Sequence, residues 1–288
     1  MNVVFATTLD DAYLPGFLVT VNTLLKSTEN FNFPICVIEW GNLSNESKQS
    51  ILNLYPDVIF HRVDLAEYNQ KFDSTHRTWN YNCNVRYDVF ALDGFDRVIY
   101  FDTDIIFQID ARRLLEFDVD FGACLMPNIK FFEQVESNKI FNAGLMSIGK
   151  KFLNKKTKFD LLELANSKPP LIKLRTNSWV GNQPILNNFF ANNLFAIPDR
   201  FNFLVDRFDT NTSKDSILKN FHFIGHEKPW ISNSNPTKAV APYVLDCVTK
   251  NCKDNIVLAR IALKNLLSLY QKSVSKLLEE KPEFSKYF

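Results

Sequence analysis

The chain has 288 residues, 46% of them hydrophobic and 23% charged, with 33 Lys and Arg against 32 Asp and Glu. That composition supplies a substantial core, and a formal charge of +1 removes the electrostatic basis for tracking nucleic acid. No run of about 18 apolar, uncharged residues occurs, so no membrane-spanning helix is expected. The start, Met1-Asn2-Val3-Val4-Phe5-Ala6, lacks the basic and long apolar segments of a signal peptide.

In chain order, Val3 to Thr8 reads as a buried strand, and a helix follows from Phe17 to Lys26 after Pro15-Gly16. Ile35 to Trp40 predicts a second strand. Ser44 stands where it would N-cap a helix running to Leu54. Val58 to Val63 predicts a third strand, and Val85 to Leu92 a helix leading into the apolar run at 97–101. This alternation predicts an α/β fold, with a mostly parallel central sheet and helices on both faces. In such sheets the ligand site lies beyond the carboxyl ends of the strands. Further on, Phe141 to Ile148 reads as a strand, Lys150 to Ala165 as a helix, Asn182 to Asn192 as another helix, and Phe221 to Ile224 as a short strand. From Asn255 to Glu280 apolar residues recur at helical spacing, among them Ile261, Leu266, Leu267 and Leu277. The expected organisation is one domain over 1–250 and a helical appendage over 251–288 packed on it. The cysteines (Cys36, Cys83, Cys124, Cys247, Cys252) are odd in number and form no CxxC pair, which points to a reducing, cytoplasmic setting.

The densest chemistry lies at Phe101-Asp102-Thr103-Asp104, where a buried strand ends in two carboxylates one residue apart. Carboxylates are rarely buried without a partner, and in extended chain positions i and i+2 share a side. A cation shared by Asp102 and Asp104 is the economical explanation, and oxygen ligation favours Mg²⁺ or Mn²⁺. A second cluster reads His222-Phe223-Ile224-Gly225-His226-Glu227-Lys228-Pro229-Trp230. Gly225 and Pro229 argue against a helical zinc pair. A strand end followed by a tight loop fits better, with His222 giving a nitrogen to the same metal. Gly225 would admit close backbone approach, and Lys228 would meet phosphate oxygens.

Together with Phe5-Ala6-Thr7-Thr8-Leu9-Asp10-Asp11-Ala12-Tyr13 and Phe141-Asn142-Ala143-Gly144-Leu145, these two segments appear in an order that resembles family 8 of the glycosyltransferases, the family of glycogenin and of bacterial lipopolysaccharide galactosyl- and glucosyltransferases. The resemblance implies a single A-type, Rossmann-like glycosyltransferase domain. It implies transfer of a hexose from a UDP-sugar with retention of configuration, glucose being favoured over galactose. Asp102, Asp104 and His222 would hold Mn²⁺, or Mg²⁺ in its place. Thr8, Leu9, Asp10, Tyr13, Arg77, Arg86, Thr103, Asn142, Ala143, Gly225 and Lys228 are assigned to the donor. Asp10, or Asp11 in competition with it, would accept the uracil N3–H, and Tyr13 would stack on the base.

Gln183 and Asn182 fall in a segment like the family's Asp-Gln-x-x-Leu-Asn element, with Asn182 where the family usually has Asp. An amide there cannot act as a base. Front-face displacement is therefore favoured, with Lys228 assisting the leaving group and Gln183 near the reacting face. No tyrosine occurs between Phe195 and Phe221, so self-glucosylation of the glycogenin kind is not supported there. A glycan, lipid-linked or protein acceptor, peripheral membrane contact through the basic tail, and a homodimer are all compatible with the sequence. Two rival readings remain at this level: a glycoside hydrolase with paired carboxylates, and a non-catalytic sugar-nucleotide or glycan-binding module.

Overall fold

The computed structural model describes residues 1–69, 85–126, 140–167, 182–209, 211–212, 216–225, 228–230 and 242–288. Its centre is a seven-stranded sheet built from β1 (Val3–Thr8), β2 (Ile35–Glu39), β3 (Val58–Arg62), β4 (Arg97–Phe101), β6 (Phe121–Leu125), β7 (Phe141–Gly149) and β8 (Leu194–Ile197), in the order β3-β2-β1-β4-β7-β6-β8. Strands β3, β2, β1 and β4 run parallel, as do β6 and β8, while β7 is antiparallel to both its neighbours. The sheet is thus mostly parallel, as expected. A second sheet joins β5 (Ile105–Ile106), β10 (Phe221–His222) and β9 (Phe203–Leu204), in the order β5-β10-β9.

Alternate residues of each strand feed opposite faces, as the period of two requires. Val3, Phe5, Ile99 and Phe101 join one core with α1 (Leu14–Ser27), α2 (Asn45–Leu54) and the C-terminal helix α7 (Ile256–Glu280). Val4, Ala6, Val98 and Tyr100 join the other with α4 (Lys155–Ser167) and α5 (Gln183–Phe190). Helices therefore cover both faces. Two more helices, α3 (Ala66–Asn69) and α6 (Pro242–Asn251), complete the described set.

Local signals explain most boundaries. Ser44 accepts from Ser47 N and so caps α2, as its position in the sequence suggested. The helix expected from Lys150 instead starts at Lys155, after a 3₁₀ turn over Lys150–Phe152. Asn154 sets that start: its Oδ1 accepts from both Thr157 N and Thr157 Oγ1. The segment read as a helix from Val85 is a 3₁₀ helix over Val85–Ala91. It is short and its side chains are tied on opposite sides, Arg86 to Asp102 and Asp88 to Lys158. Tertiary contacts of this kind outweigh helix propensity in so short a segment. Strands β5, β6, β8 and β9 and helix α6 were not anticipated from the sequence.

The antiparallel β7 matters most for the site. It pairs Phe101 with Leu145, so the start of β7 lies beside the carboxyl end of β4. A register shift between Ala123 and Cys124 leaves Ala143 to Leu145 without β6 partners, which opens the sheet at that point.

Candidate active site

Strand β4 ends at Phe101, and Asp102 to Asp104 turn out of it rather than continuing as extended chain. The expectation that the two aspartates share one side of a strand is corrected on that point. What aligns them is the second sheet. Strand β5 begins immediately after Asp104, pairs antiparallel with β10, and sets His222 opposite Ile105. Phe223 N donates to Asp104 O at 2.9 Å, which locks the register. Among the described residues, Asp102, Asp104 and His222 form a group whose ligand atoms all lie within 4.8 Å of one another.

Each aspartate carries its own cation. Arg86 Nη2 donates to Asp102 Oδ1 at 2.7 Å, and Tyr100 Oη donates to the same oxygen at 2.9 Å. The Arg86 guanidinium lies 4.8 Å from the Tyr100 ring centre, and its Nη1 donates to Ala143 O at 3.3 Å. Lys228 Nζ donates to Asp104 Oδ2 and, at 2.8 Å, to Phe223 O. Burial opposes ionisation of Asp104, but the charge of Lys228, with the His222 ring beside it, outweighs it and holds the carboxyl well below its ordinary value. His222 Nε2 lies 3.1 Å from Asp104 Oδ1 and 3.7 Å from Asp102 Oδ2. Asp104 Oδ1 is nevertheless buried and receives no directed hydrogen bond. An unmet anionic oxygen beside a second carboxylate and an imidazole nitrogen is the donor set a hard divalent cation fits.

Glycines allow the close approaches. A Cβ on Gly144 would lie 2.2 Å from His222 Cε1, so the imidazole is seated against bare backbone of β7. A Cβ on Gly16 would lie 2.5 Å from Trp230 Cη2 and 2.6 Å from Thr103 O. Gly225 has φ +106°, which side chains rarely adopt, and it turns the chain between His222 and Lys228. Behind the motif, Tyr270 of α7 lies 5.7 Å from Phe223 and 6.3 Å from Trp230, ring centre to ring centre.

The residues assigned to the donor are spread unevenly. Thr8 Oγ1 is 3.1 Å from Tyr100 Oη, at the carboxyl end of β1 beside the aspartates. Leu9 is buried in the core and its N–H donates to Ile38 O at 3.1 Å, so only its carbonyl is left to offer a ligand. Asp10 caps the turn Asp11–Tyr13 by accepting from Tyr13 N at 2.9 Å, and burial raises its carboxyl. Asp11 accepts from Ser44 N at 3.0 Å, which ties it to the start of α2. Tyr13 meets Trp230 edge to face at 5.8 Å and keeps part of its ring exposed. Thr103 is buried in the turn between the aspartates. Arg77 lies outside the described residues.

Asn142, Ala143 and Gln183 come together at the start of β7. Gln183 Oε1 accepts from Ala143 N at 3.3 Å and lies 3.5 Å from Asn142 Nδ2. Asn182 is buried at the N-cap position of α5 and makes no side-chain cap bond. The sequence reading missed Asn202 and Tyr100. Asn202 Oδ1 lies 2.9 Å from His222 Nδ1, and Tyr100 links Thr8 to Asp102. A polar residue between two aromatics, Phe201-Asn202-Phe203, was the one visible sign of the first.

Comparison with known proteins bears on the family and the fold. The family model described as glycosyl transferase family 8 matches residues 4–234, which include Asp102, Asp104, His222 and Lys228. A glycosyltransferase, GlyF, of Streptococcus pneumoniae serotype 4 is 25% identical over 238 residues, covering 77% of this chain and 55% of GlyF. A glycogenin of Neurospora crassa is 23% identical over 240 residues, covering 82% of this chain and 32% of the glycogenin. The chain thus spans about half of the first relative and a third of the second. A galactosyltransferase, LgtC, solved with donor and acceptor sugar analogues, superposes with a TM-score of 0.61 at 16% identity, covering 79% of this chain and 89% of LgtC. The shared fold is the A-type glycosyltransferase fold, and with the match over residues 4–234 the chain belongs to glycosyltransferase family 8.

Proposed function

We propose that this chain transfers a hexose, glucose before galactose, from a UDP-sugar with retention of configuration, and that it uses Mn²⁺, or Mg²⁺ in its place. The observation that carries the reading is the group Asp102, Asp104 and His222, with one buried carboxylate oxygen unmet and a cation on each aspartate. These three residues would hold the metal, which when bound draws charge off the departing diphosphate as a Lewis acid.

The chain's own cations act beside it. Lys228 is held by Phe223 O and Asp104 within reach of the same space, and supplies fixed positive potential where phosphate charge develops. Arg86, braced on Tyr100 and Ala143 O, does the same on the Asp102 side. Thr8 at the end of β1 and Tyr13 in the turn after it border the base, and Asp10 offers an acceptor for a uracil N3–H. Asn142, Ala143 and Gln183 border the sugar.

Retention by front-face displacement agrees with the amides at the sugar side. The acceptor oxygen bonds to the anomeric carbon on the face from which the diphosphate leaves, and the leaving phosphate oxygen takes the acceptor's proton. A covalent route needs a nucleophile on the opposite face, and Gln183 and Asn182 present neutral amides. The hydrolase reading fits poorly for a further reason. A general acid needs a carboxyl that keeps its proton, and the Lys228 charge holds the Asp104 carboxyl well below its ordinary value.

The test is UDP release from a panel of UDP-sugars with Mn²⁺, with Mg²⁺ and with EDTA. Metal-dependent release from one donor is expected, falling at least about a hundredfold in Asp104→Ala. Release that persists in EDTA, or in that variant, overturns the reading. Metal-dependent UDP binding without turnover on any donor or acceptor would favour the non-catalytic module.

A further inference from the structure

His222 faces the two aspartates through Nε2, and which of its ring nitrogens is bare is decided on the other side of the ring. Gly144 N donates to Asn142 Oδ1 at 2.8 Å. A backbone N–H only donates, so the oxygen of the Asn142 amide, not its nitrogen, occupies that place. The same oxygen lies 3.0 Å from Asn202 Nδ2. Asn202 therefore turns its amino group to Asn142 and its carbonyl oxygen to His222 Nδ1, 2.9 Å away. That oxygen only accepts, so Nδ1 carries hydrogen, and in the neutral ring Nε2 is a lone pair.

We propose that Asn202 is a positioning residue that fixes the tautomer of His222, with its own orientation set through Asn142 by the backbone amide of Gly144. This rests on the metal reading given above. The seat is closed: Asn202 and His222 are 1% and 3% exposed, so water does not replace the amide. Bare backbone at Gly144 lets the ring lie close against β7. Pairing of β9 with β10, which sets Leu204 beside His222, brings Asn202 to the ring. A bare Nε2 facing two carboxylate oxygens is an apposition of acceptors, and a cation between them is what satisfies all three. Outer partners of this kind orient metal-binding imidazoles and tune their affinity.

Two readouts other than turnover test it. In metal-free protein, ¹⁵N NMR over a pH series should show the neutral ring of His222 in the Nδ1–H form, its signals identified by their loss in His222→Gln. Free-Mn²⁺ EPR with UDP should show Asn202→Leu binding Mn²⁺ about 10- to 100-fold more weakly than wild type. Asn202→Asp keeps an acceptor for Nδ1–H and should restore most of the affinity. An Nε2–H tautomer in wild type overturns the proposal even if no variant folds. So does Mn²⁺ binding by Asn202→Leu as tight as wild type, or an Asn202→Asp that binds no better than Asn202→Leu. Wild type that binds no Mn²⁺ would instead remove the metal reading itself.

Discussion

At the scale of single residues, the site is a set of charges and lone pairs that are matched in pairs. Asp102 is held by Arg86 and Tyr100, Asp104 by Lys228, and His222 by Asn202. Gly144 carries no side chain, yet the packing of His222 depends on it. In Gly144→Ala the new Cβ would meet His222 Cε1 at 2.2 Å and Asn142 Oδ1 at 2.8 Å, so ring or amide must move. Overpacking of this type costs about 1–3 kcal/mol. We expect a denaturant midpoint lowered to match, with Mn²⁺ affinity falling by a larger factor than in a surface control. Wild-type Mn²⁺ affinity in Gly144→Ala would show that the imidazole seat has no bearing on the metal. The sequence announced the carboxylates and the histidine through their motifs. For Asn202 it offered only a polar residue between two aromatics, because nothing local distinguishes an asparagine that meets an imidazole from one that stabilises a loop.

At the scale of elements, one polar cluster ties four segments together. Lys158 of α4 donates to Asp88 Oδ1 at 2.9 Å and reaches Glu67 of α3. Tyr68 donates to Asp88 Oδ2, and His61 Nε2 of β3 lies 3.1 Å from Asp88 Oδ1. The cluster anchors the 3₁₀ segment that carries Arg86. Burial raises the Asp88 carboxyl, but the hydrogen bond from His61, the Lys158 charge and the Tyr68 hydroxyl bring it below its ordinary value of 3.8. A carboxyl depressed on folding contributes fully above its ordinary value and loses the contribution as pH falls below that and through the lowered folded-state value. Lys158→Met leaves Asp88 buried without its main cation and should cost about 3–5 kcal/mol at neutral pH. Because protonated Asp88 has little need of the lysine, the gap to wild type should narrow by about pH 3. Urea unfolding at both pH values measures it, and a gap independent of pH would mean that the lysine acts through packing alone.

At the scale of the whole molecule, the long C-terminal helix is continuous with the core beneath the site. Leu263, Leu266, Tyr270 and Leu277 are buried in the same cluster as Phe17, Ile99 and Phe101. Through Phe223 and Trp230 the Tyr270 ring backs the segment that presents His222 and Lys228, and burial pushes its hydroxyl well above the ordinary range. Leu266→Ala should cost about 2–5 kcal/mol and lower the midpoint of a transition in which helix α7 and the sheet unfold together. Two separate transitions, only the first of them shifted, would show that the helix is energetically independent of the domain. Among the described residues no helix is long and apolar enough to cross a membrane.

Much of the fold was legible in the chain because its evidence is local. The strands β1 to β4 and β7 are apolar runs, the helices α1, α2 and α7 carry caps or helical spacing, and Asp102, Asp104, His222 and Lys228 stand in short motifs. The sequence by itself thus determined the class of sheet and most of the elements, and it marked the aspartates, histidine and lysine that the fold gathers. Only the tertiary structure decided that β7 runs antiparallel and brings Asn142 to Gly144 beside the aspartates. It also decided that β5 and β10 pair to set His222 against Asp104, that each aspartate takes a particular cation, and that Asn202 faces the imidazole. Lys228 and Asp104 are 124 residues apart. Contacts at that separation depend on strand order, register and packing across the whole sheet, which no short segment encodes.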